Sequence, residues 1–94
     1  MVYISGKITG NKNYEAEFNE AEIKLREMGF KVFNPASIKE DWTYEQYMKC
    51  DLKHLLECEW IYFLPNWENS RGARIEKIVA EATVIKVLEL KQSR

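Results

Sequence analysis

Two features of this 94-residue chain predict an α/β fold built on a parallel sheet. Short β-rich apolar runs alternate along the chain with longer stretches whose apolar residues recur every three or four positions. Successive runs are therefore separated by helix-length crossovers, which parallel strands require and antiparallel hairpins do not. The resulting order, βαβαβαβ, predicts a three-layer sandwich around a four-stranded, at most five-stranded, parallel sheet of flavodoxin-like or Rossmann-like type. The length makes it one domain, residues 1–94.

Val2-Tyr3-Ile4 is the first strand, apolar on both faces and hence central, and it stops at Ser5-Gly6. Lys7 to Asn13 is a loop with Thr9-Gly10-Asn11 as its turn signal. Tyr14, Phe18, Ala21, Leu25 and Met28 then mark one face of an amphipathic helix, with Asn13 as N-cap and Gly29 just past its end. Phe30-Lys31-Val32-Phe33 is the second strand, less evenly apolar and so nearer an edge, closed by Asn34-Pro35. After a loop to Asp41, Thr43 caps a second helix running to about Glu57, with Tyr44, Met48, Leu52 and Leu55 on its apolar face. Glu59 to Leu64 is the third strand and Asn66 to Asn69 a loop. A third helix begins at Ser70 or Arg71 and ends near Ala82, with Ile75, Ile78, Val79 and Ala82 as its apolar pattern. Val84 to Leu88 is the last strand, and the tail from Lys91 to Arg94 is expected to fray.

Composition narrows the function classes. With 14 basic and 15 acidic residues interleaved, the chain has no basic stripe with which to neutralise a nucleic-acid backbone. No apolar run approaches the roughly 20 residues that span a bilayer, and the first residues do not read as a signal peptide, so a cytoplasmic protein is expected. Cys50 and Cys58 lie eight residues apart, about 12 Å along a helix and too far for a disulfide. His54 is the only histidine, and with no CxxC pair the chain offers no zinc site. A chain this short buries only roughly 60–65% of its unfolded surface, and its rings are numerous, which predicts a homodimer or homotetramer.

Ligands of such sheets sit at the carboxyl ends of the strands, here Ser5-Gly6, Asn34-Pro35 and Asn66 to Arg74. Ser70-Arg71-Gly72-Ala73-Arg74-Ile75-Glu76 combines a small-residue turn with a carboxylate early in a helix, where partial positive charge is expected to keep it ionised. Such a carboxylate can attack a sugar carbon or hold a ligand hydroxyl, or it can simply satisfy the helix dipole. Asp51 falls beside the apolar stripe of the second helix, where a short acid needs hydrogen-bond partners, a ligand, or a loop to cap. Two carboxylates from different elements are the pattern of glycosidic chemistry. Tyr3 is either plain core or a hydroxyl partner for a carboxylate at the strand end. Ser5, Gly6, Ser70 and Gly72 permit close backbone approach and offer hydroxyls. Arg71 and Arg74 are candidates for a phosphate or for Glu68 and Glu81. Trp42, Tyr47 and Trp67 could stack on a base, or serve as core or as a subunit contact.

Taken together, Val2-Tyr3-Ile4-Ser5-Gly6 with Ile8-Thr9-Gly10, Val32 to Ala36, Tyr47-Met48-Lys49-Cys50-Asp51-Leu52, and Ile61 to Pro65 followed by Trp67 to Glu76 resemble the nucleoside 2-deoxyribosyltransferase superfamily over nearly the whole chain. The match is to its small branch of uncharacterised α/β proteins, with similarity also to the deoxynucleotide N-glycosidases. The resemblance implies Glu76 as the nucleophile on C1′ of a nucleoside or nucleotide, Asp51 as the sugar and proton residue, and Tyr3 as the group that orients Glu76. It implies that Ser70 and Gly72 hold a 5′-phosphate, with Ser5, Gly6, Asn34, Trp67 and Arg74 around the substrate. It calls for no metal and no cofactor. The chain departs from the pattern at Ile78, where the family usually has glycine, and at Ser70, where many transferases carry aspartate. The alternative expectation is a non-catalytic module on the same fold that binds a nucleotide or nucleotide-derived signal, and a third is an interaction subunit.

Overall fold

Strand β1, Val2–Ser5, is the centre of the molecule. Its four residues are all buried, as an apolar strand covered on both faces must be. The other strands are β2 (Val32–Phe33), β3 (Trp60–Phe63) and β4 (Lys86–Val87), and the sheet order is β2-β1-β3-β4 with every pair parallel. The structure, a computed structural model, describes residues 1–90, and the expected fraying at Lys91–Arg94 lies outside them. The four-stranded count, the central first strand and the edge position of the second all match the sequence reading.

Alternation along β1 divides the core in two. Val2 and Ile4 face helix α1 (Tyr14–Glu27), packing with Phe18, Ala21 and Leu25. Tyr3 faces the other way, packing with Leu55 of α2 (Tyr44–Leu55) and Ala80 of α3 (Arg71–Ala82). One helix therefore covers one face and two cover the other, giving the three layers. The chain leaves β1 in one direction to reach β2 and returns past it to β3, so the order reverses between β1 and β3. That reversal is where α/β sheets open a crevice.

The helix ends follow local rules. Thr43 caps α2 by accepting from the Gln46 N–H, while the Gln46 side chain accepts from the Thr43 N–H, a complete capping box. Gly29 follows α1 at φ +95°, and Phe30 donates back to the Leu25 carbonyl at 3.1 Å, closing a Schellman turn. Asn13 occupies the N-cap position of α1, but its side chain makes no capping bond.

Three expectations are revised. The fourth strand shrinks to Lys86–Val87 because Val84 closes the end of α3 at φ +60°, with Ile85 donating to the Ala80 carbonyl. The second strand likewise begins only at Val32. Helix α3 turns Ala73, Glu76 and Ala80 inward and leaves Ile78 66% exposed. Small residues let this helix approach the sheet closely, and that rotation carries Glu76 to the strand ends.

Candidate functional site

Tyr3 and Ser5 are two apart on β1, so both side chains project from the same face of the sheet. Both meet Glu76. The Tyr3 hydroxyl donates to Glu76 Oε2 at 2.6 Å, and the Ser5 hydroxyl donates to Oε1 at 2.7 Å. Each carboxylate oxygen thus has one buried donor, supplied by the strand beneath. Both donors are completely buried, and Glu76 is only 5% exposed.

Asp51 stands nearby on α2, also buried, and its Oδ1 has no hydrogen-bond partner among the described residues. An unpartnered oxygen of this kind is costly unless it is protonated or meets a ligand. Burial lifts the Asp51 carboxyl from 3.8 to about 7, opposed by the nearby His54. Burial likewise lifts Glu76 from 4.5 to about 7, while its two hydroxyl donors pull the other way and the charge of Asp51 adds to the rise. The expectation that the helix start keeps Glu76 ionised therefore gives way to desolvation. Glu76 lies in the second turn of α3, beyond the reach of most of the dipole, which fades within the first turn. Tyr3 is pushed well above 10 by burial and by Glu76, so it stays a donor.

Both carboxyls open into a cavity of about 650 Å³ at the strand ends. Its walls differ in chemistry. One carries Asp51, Glu76, Ser70, Arg71 and Gly72 from α2 and the start of α3. The other is apolar, formed by Ile8, Tyr14, Phe18, Pro35, Ala36 and Ile38, and Trp42, Tyr44, Tyr47 and Met48 complete the rim. Two glycines shape it. A Cβ at Gly6 would meet Leu64 Cδ1 at 2.8 Å, and one at Gly72 would meet Met48 Sδ at 3.2 Å. Gly72 thereby lets the start of α3 close against α2.

The structure gathers Glu76, Asp51, Tyr3, Ser5, Gly6, Ser70 and Gly72 at this one place. Ser70 caps α3 by accepting from the Ala73 N–H at 3.1 Å, leaving its own proton free to donate to a ligand. Asn34, Trp67 and Arg74 do not line the cavity. Asn34 caps the 3-10 turn Pro35–Ser37 and donates to Asn19 and Glu22 on α1. Trp67 packs on Phe63 with ring centroids 4.8 Å apart, and Arg74 donates to the Glu68 carbonyl. Of the two arginines flanking the turn it is Arg71 that lines the cavity, over the Tyr44 ring at 5.4 Å. Sequence reading passed over Ile38, Tyr14, Phe18, Met48 and Tyr44 as site residues. The last four lay on helix faces assigned to core, and only the depth of the crevice tells core from wall.

A family model described as a domain of unknown function, DUF4406, matches residues 1–89. No curated protein and no solved structure matches the chain. Covering nearly all of the sequence, the family match is decisive, and the chain belongs to the DUF4406 family.

Proposed function

We propose that the protein cleaves or transfers the N-glycosyl bond of a nucleoside or nucleotide, with Glu76 as nucleophile. The observation that carries this reading is the buried Glu76 carboxyl, gripped by Tyr3 and Ser5 and sharing a cavity with the unpartnered Asp51. The two acids differ in wiring. Glu76 receives two hydroxyl donors, which favour its anion, whereas the lone Oδ1 of Asp51 favours its protonated form. Both carboxyls are raised to about 7, so near neutral pH one of the pair can be ionised while the other holds the proton, the division of labour that glycosidic chemistry needs. Ionised Glu76 attacks C1′ as the C1′–N bond breaks, and the departing base takes the bond pair and a proton from Asp51. A second base or a water then attacks C1′, gives its proton to the Asp51 carboxylate and frees Glu76. Positive charge growing on the sugar stabilises the buried anion and is stabilised by it.

The amphipathic cavity fits the same substrate class, with sugar against the acid wall and base along the aromatic rim. Arg71 and the Ser70 hydroxyl suit a 5′-phosphate. The reading includes a cytoplasmic homodimer or homotetramer, supported by the exposed Ile78, Leu56 and Val87 side chains. The test is chromatographic detection of free base from deoxy- and ribonucleosides and their 5′-monophosphates, with and without a second base. Release by the wild type that falls at least 10³-fold in Glu76→Ala is the expected result. Tight binding of a nucleotide without release would establish the binding-module alternative instead.

A further inference from the structure

The segment Ile38–Trp42 joins the 3-10 turn Pro35–Ser37 to the capping box of α2 and has no regular structure. Its two ends, Ile38 and Trp42, line the cavity. It is held from both sides. Toward α1, Lys39 reaches Glu15 at 3.0 Å and the Tyr14 hydroxyl at 3.2 Å. Toward α2, the Tyr47 hydroxyl accepts from the Glu40 N–H at 3.0 Å and donates to the Glu40 carbonyl. One phenol thus satisfies both main-chain groups of a single residue. The main-chain N–H groups of Lys39, Asp41 and Trp42 have no acceptor among the described residues. The Trp42 ring leans on the Tyr47 ring at 5.2 Å, so the residue that fastens the segment also sets the angle of its tryptophan.

We propose that Ile38–Trp42 is a strap across the cavity and that Tyr47 is its latch, a positioning residue whose hydroxyl governs access to the crevice and the placing of Trp42. A span tied at its middle by one half-buried side chain, through hydrogen bonds that are themselves exposed, opens locally at low cost, independently of the core. The Lys39 tie is solvent-exposed at both partners and contributes little. Losing the Tyr47 hydroxyl removes both ties to Glu40 and leaves the ring packed on Trp42. The strap would act in this way whether the cavity performs chemistry or only binds.

The test is Tyr47→Phe in the full-length chain, read without any ligand. Hydrogen exchange of the Glu40 amide, resolved within 38–42 by NMR, is expected to quicken roughly tenfold, with exchange in β1 and β3 unchanged. Access is read separately from a thiol introduced by Met48→Cys in a Cys50→Ser, Cys58→Ser background, since Met48 lines the cavity. Its labelling by a neutral maleimide is expected to quicken by a similar factor when Tyr47→Phe is added. Unchanged exchange at Glu40 would overturn the latch, and faster exchange with unchanged labelling would overturn the strap as a gate. Lys39→Ala is the companion variant, expected to alter either rate less than twofold.

Discussion

At the scale of single residues, the Glu76 carboxyl is set by competing environments. Removal from water raises its proton affinity, and the hydroxyls of Tyr3 and Ser5 lower it by bonding to the anion. Tyr3→Phe keeps the ring stacked on Phe33, 5.6 Å away, and deletes one of those donors. The Glu76 midpoint, followed by carboxyl carbon NMR, is expected to rise above about 7 by roughly one unit. Ser5→Ala is expected to move it the same way. A fall in either variant would mean that the hydroxyls do not serve the anion. How much of this was legible in the sequence differs by residue. Asp51 could be singled out as a short acid beside an apolar stripe, Glu76 by its place just after a small-residue turn, and Tyr3 by its place on the first strand. Asn34, Trp67 and Arg74 sat near the right strand ends, but nothing in a linear pattern tells a side chain that braces a loop from one that faces a crevice. The competition between burial and the helix dipole was also beyond reach, because it depends on the depth at which α3 settles.

At the scale of elements, apolar periodicity and caps located the strands and helices, while the rotation of α3 and the length of β4 depended on packing. Both revisions meet at the end of α3. Val84 adopts φ +60°, a left-handed conformation that a β-branched residue adopts at a cost of roughly 1–2 kcal/mol. Glycine does this work at the end of α1, as Gly29. The Val84 side chain is 82% exposed, so replacing it removes little packing. Val84→Gly is expected to stabilise the fold by ~0.5–1 kcal/mol, part of the relieved strain being offset by the greater freedom of glycine in the unfolded chain. Thermal unfolding should shift upward by about 2–6 °C. A lower midpoint would show that the valine side chain contributes more than its backbone costs. Gly6 gives the opposite case. Alanine there would drive a methyl into Leu64, so Gly6→Ala is expected to cost about 1–3 kcal/mol in urea unfolding.

At the scale of the whole molecule, the site sets how stability depends on pH. Asp51 and Glu76 both bind protons more tightly folded than unfolded, rising from 3.8 and 4.5 to about 7. Between those limits the native state carries more protons than the unfolded chain, so stability falls as pH rises. The contribution is complete below pH ~4 and is lost as pH passes through ~7. Glu22 and Glu59, held low by hydrogen-bond donors, act in the opposite sense and only as pH falls through the acid range. The maximum therefore belongs near pH 5, and the loss from pH 5 to pH 8 is expected to be about 2–4 kcal/mol. That is a large share of the roughly 5–15 kcal/mol that holds a domain together. Asp51→Asn removes one of the two titrations, so in urea unfolding its curve should be about half as steep over this range. At pH 8, where the native aspartate would be a buried anion, the variant should be the more stable protein by ~1–2 kcal/mol. Equal slopes in the two proteins would mean that water already reaches Asp51 and keeps it ionised at pH 5. A shallower slope together with the stability gain would identify a cavity that holds its acids at a structural cost, as a site shaped for a ligand does.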